Sequence, residues 1–118
     1  MNFKILLLSI LMLGCVGFDM RSMCEQSPNA DLRDKCLSAY ALRDSNTTLC
    51  REIQNVTAGD YCVMRIAIAR LSETDCNDTI LLKEQCVHVV MGLRANTSLV
   101  CNLIEDNDTA QLCRMRVM

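Results

Sequence analysis

The stretch Leu49-Cys-Arg-Glu-Ile-Gln-Asn-Val-Thr-Ala-Gly-Asp-Tyr-Cys62 decides the fold, because its layout recurs along the chain. A short apolar turn carries Cys50, and a break is expected between Asn55 and Gly59. Asp60 is then expected to begin a longer apolar helix that carries Cys62. The same arrangement returns in weaker form at Cys24–Cys36, Cys76–Cys86 and Cys101–Cys113.

The cysteines set the period of this pattern. The first cysteines of successive pairs lie 26, 26 and 25 residues apart, and the second ones lie 26, 24 and 27 residues apart. A constant step with a constant internal layout is typical of repeat architectures. We therefore predict an all-α fold, a disulfide-stapled helical-hairpin repeat that forms a short α-solenoid of about four cysteine-pair units of ~26 residues each. It resembles tetratricopeptide-like repeats in general architecture only.

The first 17 residues have the features of a secretory signal peptide. Lys4 is their only charged residue, an apolar run covers residues 5–13, and small residues follow. The run is shorter than the roughly 20 apolar residues that span a bilayer. Met12-Leu13-Gly14-Cys15 resembles the lipobox of prokaryotic lipoproteins, and this resemblance implies lipidation and membrane attachment at Cys15. Cleavage after Gly17 by ordinary signal peptidase is the alternative. By either route Cys15 forms no disulfide, and eight cysteines remain to do so.

Composition points to an exported domain stabilised by disulfides. The 118 residues include nine cysteines but only two Phe, two Tyr and no Trp. Such a small chain buries little apolar surface, and exported domains of this size commonly compensate with disulfides. Removal of Lys4 with the signal peptide leaves 11 basic and 14 acidic residues, and this acidic balance without a basic patch is not typical of a nucleic-acid-binding protein. We expect an extracellular or cell-surface protein, with a polar lead-in over 18–30 and the repeat domain over 31–118.

Helical spacing of apolar residues predicts alternating long and short helices. The segment around Cys86 contains three valines and reads as a strand by local propensity, but the repeat favours a helix there. The turn between Cys76 and Cys86 is not placed by the pattern. Long helices are predicted over 31–43 and 60–71 and around Cys86, short ones over 47–54 and 97–104, and a last helix up to Met118. Asp31 is expected to cap its helix or to lie near its positive end. Capping or helix-starting roles are expected for Asn46, Asp60, Asn96 and Asp108.

Two regular disulfide schemes fit the repeat. Pairing within units joins Cys24 to Cys36, Cys50 to Cys62, Cys76 to Cys86 and Cys101 to Cys113. Pairing across units joins Cys36 to Cys50, Cys62 to Cys76 and Cys86 to Cys101, and it leaves two thiols over. The first scheme is favoured because its height mismatch between neighbouring helices is roughly 3 Å, against roughly 4–5 Å for the second.

Other chemistry for these side chains is weaker. A zinc site is the rival interpretation of the cysteines, but none of the eight lie as close together as zinc ligands usually do, and His88 is the only histidine. A catalytic Cys–His pair is not expected either, because Cys86 and His88 are two residues apart on a helix and so point in different directions. Glu105, Asp106 and Asp108 are expected in a solvated loop. We therefore expect no enzyme, no catalytic residue, no metal and no cofactor.

Five asparagines are followed two residues later by Ser or Thr, which is the N-glycosylation pattern. Helix capping explains Asn46 and Asn96 but gives no reason for the hydroxyl residue, and a glycan leaves the capping oxygen free. The candidate glycosylation sites are Asn46, Asn55, Asn77, Asn96 and Asn107.

The expected function is contact rather than catalysis. The first hypothesis is a secreted or cell-surface interaction module that binds a protein partner or copies of itself, end to end in a surface filament. A polar capping unit is missing after Cys113, which is compatible with such self-association, and a frayed C-terminal helix is the alternative. The alternative is a cysteine-rich effector, inhibitor or lipid-binding protein. Under this alternative Met64, Ile68, Val90, Met91 and Leu93 would line a pocket, but residues of this kind are more often core.

Overall fold

A computed structural model describes residues 20–117 as an all-helical chain, which confirms the predicted class. These residues contain no strand. The segment around Cys86 is a helix, as the repeat predicted and local propensity did not. The predicted signal peptide and Cys15 lie outside the described residues. The elements are α1 (Met20–Glu25), α2 (Ala30–Asp44), α3 (Thr47–Cys50), α4 (Val56–Arg70), the 3₁₀ helix η1 (Thr74–Asp78), α5 (Lys83–Arg94), the 3₁₀ helix η2 (Ser98–Leu103) and α6 (Asn107–Val117).

Helix α4 lies at the centre because it is apolar on nearly every side. Its residues Cys62, Val63 and Ile66 belong to one buried cluster, together with residues of α1, α2 and α3. Met64 and Ile68 belong to a second cluster, which is completed by η1, α5, η2 and α6. The expectation of a central helix flanked by earlier and later neighbours is therefore confirmed.

The long helices are not arranged as a simple row. Helix α4 packs against α2, α5 and α6, so the second cysteine-pair unit contacts the fourth as well as its neighbours in sequence. In a linear solenoid each unit contacts only the adjacent ones. The structure shows a disulfide-stapled helical fold, and the repeat stays a prediction.

Three long helices begin with a capping side chain placed seven residues before the second cysteine of a unit. The backbone N–H of Leu32 donates to Asn29 Oδ1 at 2.8 Å, and the N–H of Ala58 donates to Asn55 Oδ1 at 3.0 Å. The N–H of Thr109 donates to Asp106 Oδ2 at 3.1 Å. Each cap satisfies a backbone donor that the first helical turn leaves free. The expected capping role of Asp108 was wrong, because Asp108 lies in the first turn. Asp31 also lies in the first turn, which is the second of its two expected roles, near the positive end of the helix.

The start of α4 is the main correction to the predicted boundaries. The helix begins at Val56, not at Asp60, because Asn55 caps it and Gly59 continues it. Gly59 is required for close packing rather than for a break. A Cβ atom there would lie 2.7 Å from Arg51 Nη2 and 3.0 Å from the Cys50 carbonyl oxygen. The missing side chain thus lets the Arg51 guanidinium lie against α4.

Long helices α2, α4 and α5 are each followed by a residue in the left-handed conformation. Ser45, Leu71 and Asn96 have φ values of 51°, 50° and 60°. The next residue in each case donates its N–H to a carbonyl five positions earlier, as in a Schellman motif. Asn96 therefore ends α5, and the prediction that it caps a helix over 97–104 was wrong. The short helix after Asn46 was also overpredicted, since α3 ends at Cys50.

Candidate binding groove

A groove of about 630 Å³ lies between α2, α4 and the start of α6. On α2 its wall follows one face of the helix, and on α4 it includes Ala58, Tyr61 and Arg65 at helical spacing. The groove combines an apolar part with a charged part. The apolar and aromatic lining residues are Ala39, Leu42, Ile53, Ala58 and Tyr61, and the polar and charged ones are Asp31, Asp34, Lys35, Ser38, Asn55, Arg65, Asp106 and Asp108.

Acidic side chains dominate the charge of this groove. Four aspartates face two cations, Lys35 and Arg65. Lys35 lies 3.4 Å from Asp31, but both side chains are mostly exposed, so this surface pair contributes little to stability. Arg65 Nη2 donates to Ser38 Oγ and so links α4 to α2 across the groove.

Two polar atoms in the groove are shielded from solvent without a hydrogen-bond partner in the described chain. They are Asp34 Oδ1, an acceptor, and Arg65 Nε, a donor. An unsatisfied polar atom costs free energy when it is kept from water. Because solvent does not reach either atom, a ligand lying in the groove does not contact them in this arrangement of the side chains.

Tyr61 lines the groove on α4 and lies close to the acidic side chains of Glu105 and Asp106. Burial raises the pKa of its hydroxyl above the ordinary value, and the nearby Glu105 and Asp106 carboxylates raise that pKa further. The phenol is therefore neutral at physiological pH and is available as a donor. The predicted solvated loop at residues 105–108 thus has a second role that the sequence did not indicate, because it places acidic groups beside α4.

Asp106 serves both the fold and the groove. Its Oδ2 accepts from the N–H and the hydroxyl of Thr109, which fixes the first turn of α6. Sequence reasoning gave the capping role to Asp108. The spacing of Asn29 and Asn55 from their cysteines could have identified Asp106, since it precedes Cys113 by the same seven residues.

Asp60 is a buried structural group rather than a site residue. Its side chain is fully buried, and its Oδ1 lies 3.0 Å from Arg51 Nη2 in an ionic contact without hydrogen-bond alignment. The backbone N–H groups of Ile80, Leu81 and Leu82 donate to its carboxylate at 2.9, 2.6 and 3.0 Å. Helix α5 has no capping side chain of its own, so Asp60 satisfies the donors that precede it from another helix.

The eight cysteines of the described chain are joined within units. The Cα–Cα distances lie between 5.4 and 5.7 Å, within the usual range for disulfides. All are fully buried except Cys36, which is partly exposed. Cysteines bonded to each other offer no thiolate to a metal. The bonds are Cys24–Cys36, Cys50–Cys62, Cys76–Cys86 and Cys101–Cys113.

All five sequon asparagines are exposed. Asn46 and Asn55 cap helices, whereas the capping role expected for Asn96 is absent. Two of the hydroxyl residues are buried and have structural partners. Thr79 Oγ1 donates to the Cys76 carbonyl at 2.6 Å, and Thr109 Oγ1 donates to Asp106. The fold thus gives a reason for the threonines after Asn77 and Asn107 that is independent of glycosylation.

Four of the five residues of the alternative pocket are core residues, as the sequence favours. Met64, Ile68 and Val90 are fully buried, and Leu93 is nearly so, within the second core cluster. Met91 is half exposed on α5. These residues pack against each other because α4, α5 and α6 meet at this point. His88 is exposed, and its neighbour Cys86 is bonded to Cys76.

Fold and groove define a small disulfide-stapled helical domain, of a kind found in oxidising compartments. Comparison with protein-family models, with curated proteins and with solved structures finds no match to this chain. Within residues 20–117, no helix has the length and apolar character needed to cross a membrane. In the same part of the chain, His, Cys, Asp and Glu side chains form no group of three that could hold a metal ion.

Proposed function

We propose that this protein is an exported, non-catalytic interaction module that binds a partner through the groove between α2, α4 and α6. The observation that carries the proposal is the groove itself, a concave surface on helices that buried disulfides hold in place. A rigid binding surface loses little conformational entropy when it binds. The domain therefore acts by contact, and its helices serve as the scaffold.

The groove has the composition of a binding surface. Tyr61 supplies an amphipathic ring with few rotatable bonds, and Arg65 supplies a fixed charged group. Tyr and Arg are enriched among residues that dominate binding energy at protein interfaces. Leu42 and Ala58 provide apolar area beside them. This mixture suits a polypeptide segment with both charged and apolar side chains.

Export and surface location are part of the same proposal. The signal peptide would direct the chain out of the cytosol. Cleavage before Cys15 would leave a lipidated cysteine that holds the chain at a membrane, whereas cleavage after Gly17 would release it. Exposed sequons would carry glycans in an organism with that pathway. Intact mass of the natural protein tests these points together, because it reports the cleavage site, the lipid, the glycans and the loss of eight hydrogens.

A groove-filling variant tests the binding site. Ala39 is exposed and lines the groove, so Ala39→Trp would occupy it. Ala69→Trp is the matched control, since Ala69 is an exposed helical alanine outside the groove. A displayed peptide library would be selected on the oxidised wild-type protein. Selected peptides should bind wild type and Ala69→Trp but not Ala39→Trp. Peptides that bind all three proteins equally would contradict the proposal.

A further inference from the structure

We propose that the groove of one copy receives the Arg114-Met115-Arg116 turn of α6 from a second copy. This inference rests on the proposed function and names the partner of that same groove. The three residues of the turn are exposed, Met115 by 62%. Their side chains provide two cations around an apolar group.

Charge and polarity of the two surfaces are complementary. Asp31, Asp34, Asp106 and Asp108 outnumber the cations in the groove. A guanidinium group carries several donors in a planar fork that fits a carboxylate. Met115 is flexible and adapts to an irregular apolar surface such as that beside Leu42 and Ala58.

The same copy cannot supply this turn to its own groove. Asp106 and Asp108 line the groove at the start of α6, and Arg116 lies about ten residues further along the helix, roughly 15 Å away. The Cys101–Cys113 bond fixes α6 against η2 and prevents it from folding back. The contact therefore joins different copies.

Such a contact is head to tail. The groove and the turn are different surfaces of one molecule, so each bound copy still presents a free groove or a free turn. Heterologous interfaces of this kind produce closed rings or open filaments. Both surfaces are polar, and the attraction acts between exposed charges, so salt is expected to weaken it.

Charge reversal tests the contact in the oxidised, exported chain. Sedimentation velocity is expected to show size rising with concentration in wild type, and less so at high salt. Arg114→Glu/Arg116→Glu should weaken the association by at least about tenfold, or about 1.4 kcal/mol. Arg116→Glu alone is compared with Lys83→Glu, an exposed single reversal outside both surfaces that should leave association unchanged.

A mixing experiment makes the test specific. Asp31→Arg/Asp108→Arg should not associate with itself, nor should Arg114→Glu/Arg116→Glu, but a mixture of the two should associate because each groove then meets a turn of opposite charge. A peptide of residues 114–118 should compete with wild-type association. Monomeric wild type at every concentration, or association that survives reversal of the turn, would overturn the inference. If groove-binding peptides were still selected in that case, the proposed function would stand without self-recognition.

Discussion

Arg51 and Asp60 form an ion pair between α4 and the segment that precedes it, with Nη2 and Oδ1 3.0 Å apart and the carboxylate fully buried. The same carboxylate accepts from three backbone N–H groups ahead of α5. One side chain thus joins the second and third units. The absence of a Cβ atom at Gly59 leaves the space that the Arg51 guanidinium occupies in this pair.

Loss of the Asp60 charge is expected to be severely destabilising. Asp60→Asn should lower the free energy of unfolding by about 3 to 5 kcal/mol, because it leaves Arg51 without its partner and weakens three backbone hydrogen bonds. Denaturant unfolding of the oxidised protein measures the change. Asp44→Asn, at an exposed position, is the control and should have little effect. A loss below 1 kcal/mol for Asp60→Asn would contradict the assigned role.

Two disulfides close loops of equal length, so a comparison of their removal distinguishes the contribution of packing to stability from that of loop entropy. Cys24–Cys36 and Cys50–Cys62 both span 12 positions, so loop closure should contribute about 3 kcal/mol in each case. Cys50 and Cys62 are both fully buried, whereas Cys36 is partly exposed. Replacing both cysteines by alanine should therefore cost more for the second pair, since cavities add to the loss. Equal losses in chemical denaturation would show that burial at these sulfurs has no effect.

Removal of the capping amide should destabilise α4 without a change in the core. Asn55→Ala is expected to lower the free energy of unfolding by about 1 kcal/mol, because the N–H of Ala58 loses its acceptor. The protein is produced without glycosylation, because Asn55→Ala would otherwise also remove a candidate glycan site. Asn77→Ala removes an exposed sequon asparagine that caps no helix and should be nearly neutral. Equal effects of both substitutions would contradict the capping role.

Tyr61 provides a prediction about pH. In a Tyr40→Phe background Tyr61 is the only tyrosine, and its absorbance titration should have a midpoint above about 10 in the folded protein. Because the folded pKa is raised, the stability that depends on the neutral phenol is complete below the unfolded pKa. It is lost as the pH rises through the folded pKa. The same protein in denaturant should titrate near the ordinary value, and identical midpoints would contradict the raised pKa of this hydroxyl.

Much of the fold followed from the cysteine period, but the cap positions and the groove did not. The period predicted helices even at the valines around Cys86, where local propensity favoured a strand. The sequence predicts a helix start at Asp60, after an expected break between Asn55 and Gly59. The partners of Asp60 at residues 80–82 come from a distant segment that no local pattern indicates. The groove depends on α6 packing against α4, two units away. A repeat read from sequence predicts contacts only between neighbouring units.

Helix α4 supplies residues to both buried clusters, and this sharing determines how the protein unfolds. Each disulfide joins two cysteines of the same unit, so the disulfides alone would allow one unit to stay folded while the others unfold. Loss of either cluster, however, strips one side of α4 and exposes apolar residues that the remaining half cannot cover. Both halves should consequently melt in a single transition, with the slowest amide hydrogen exchange along this one helix.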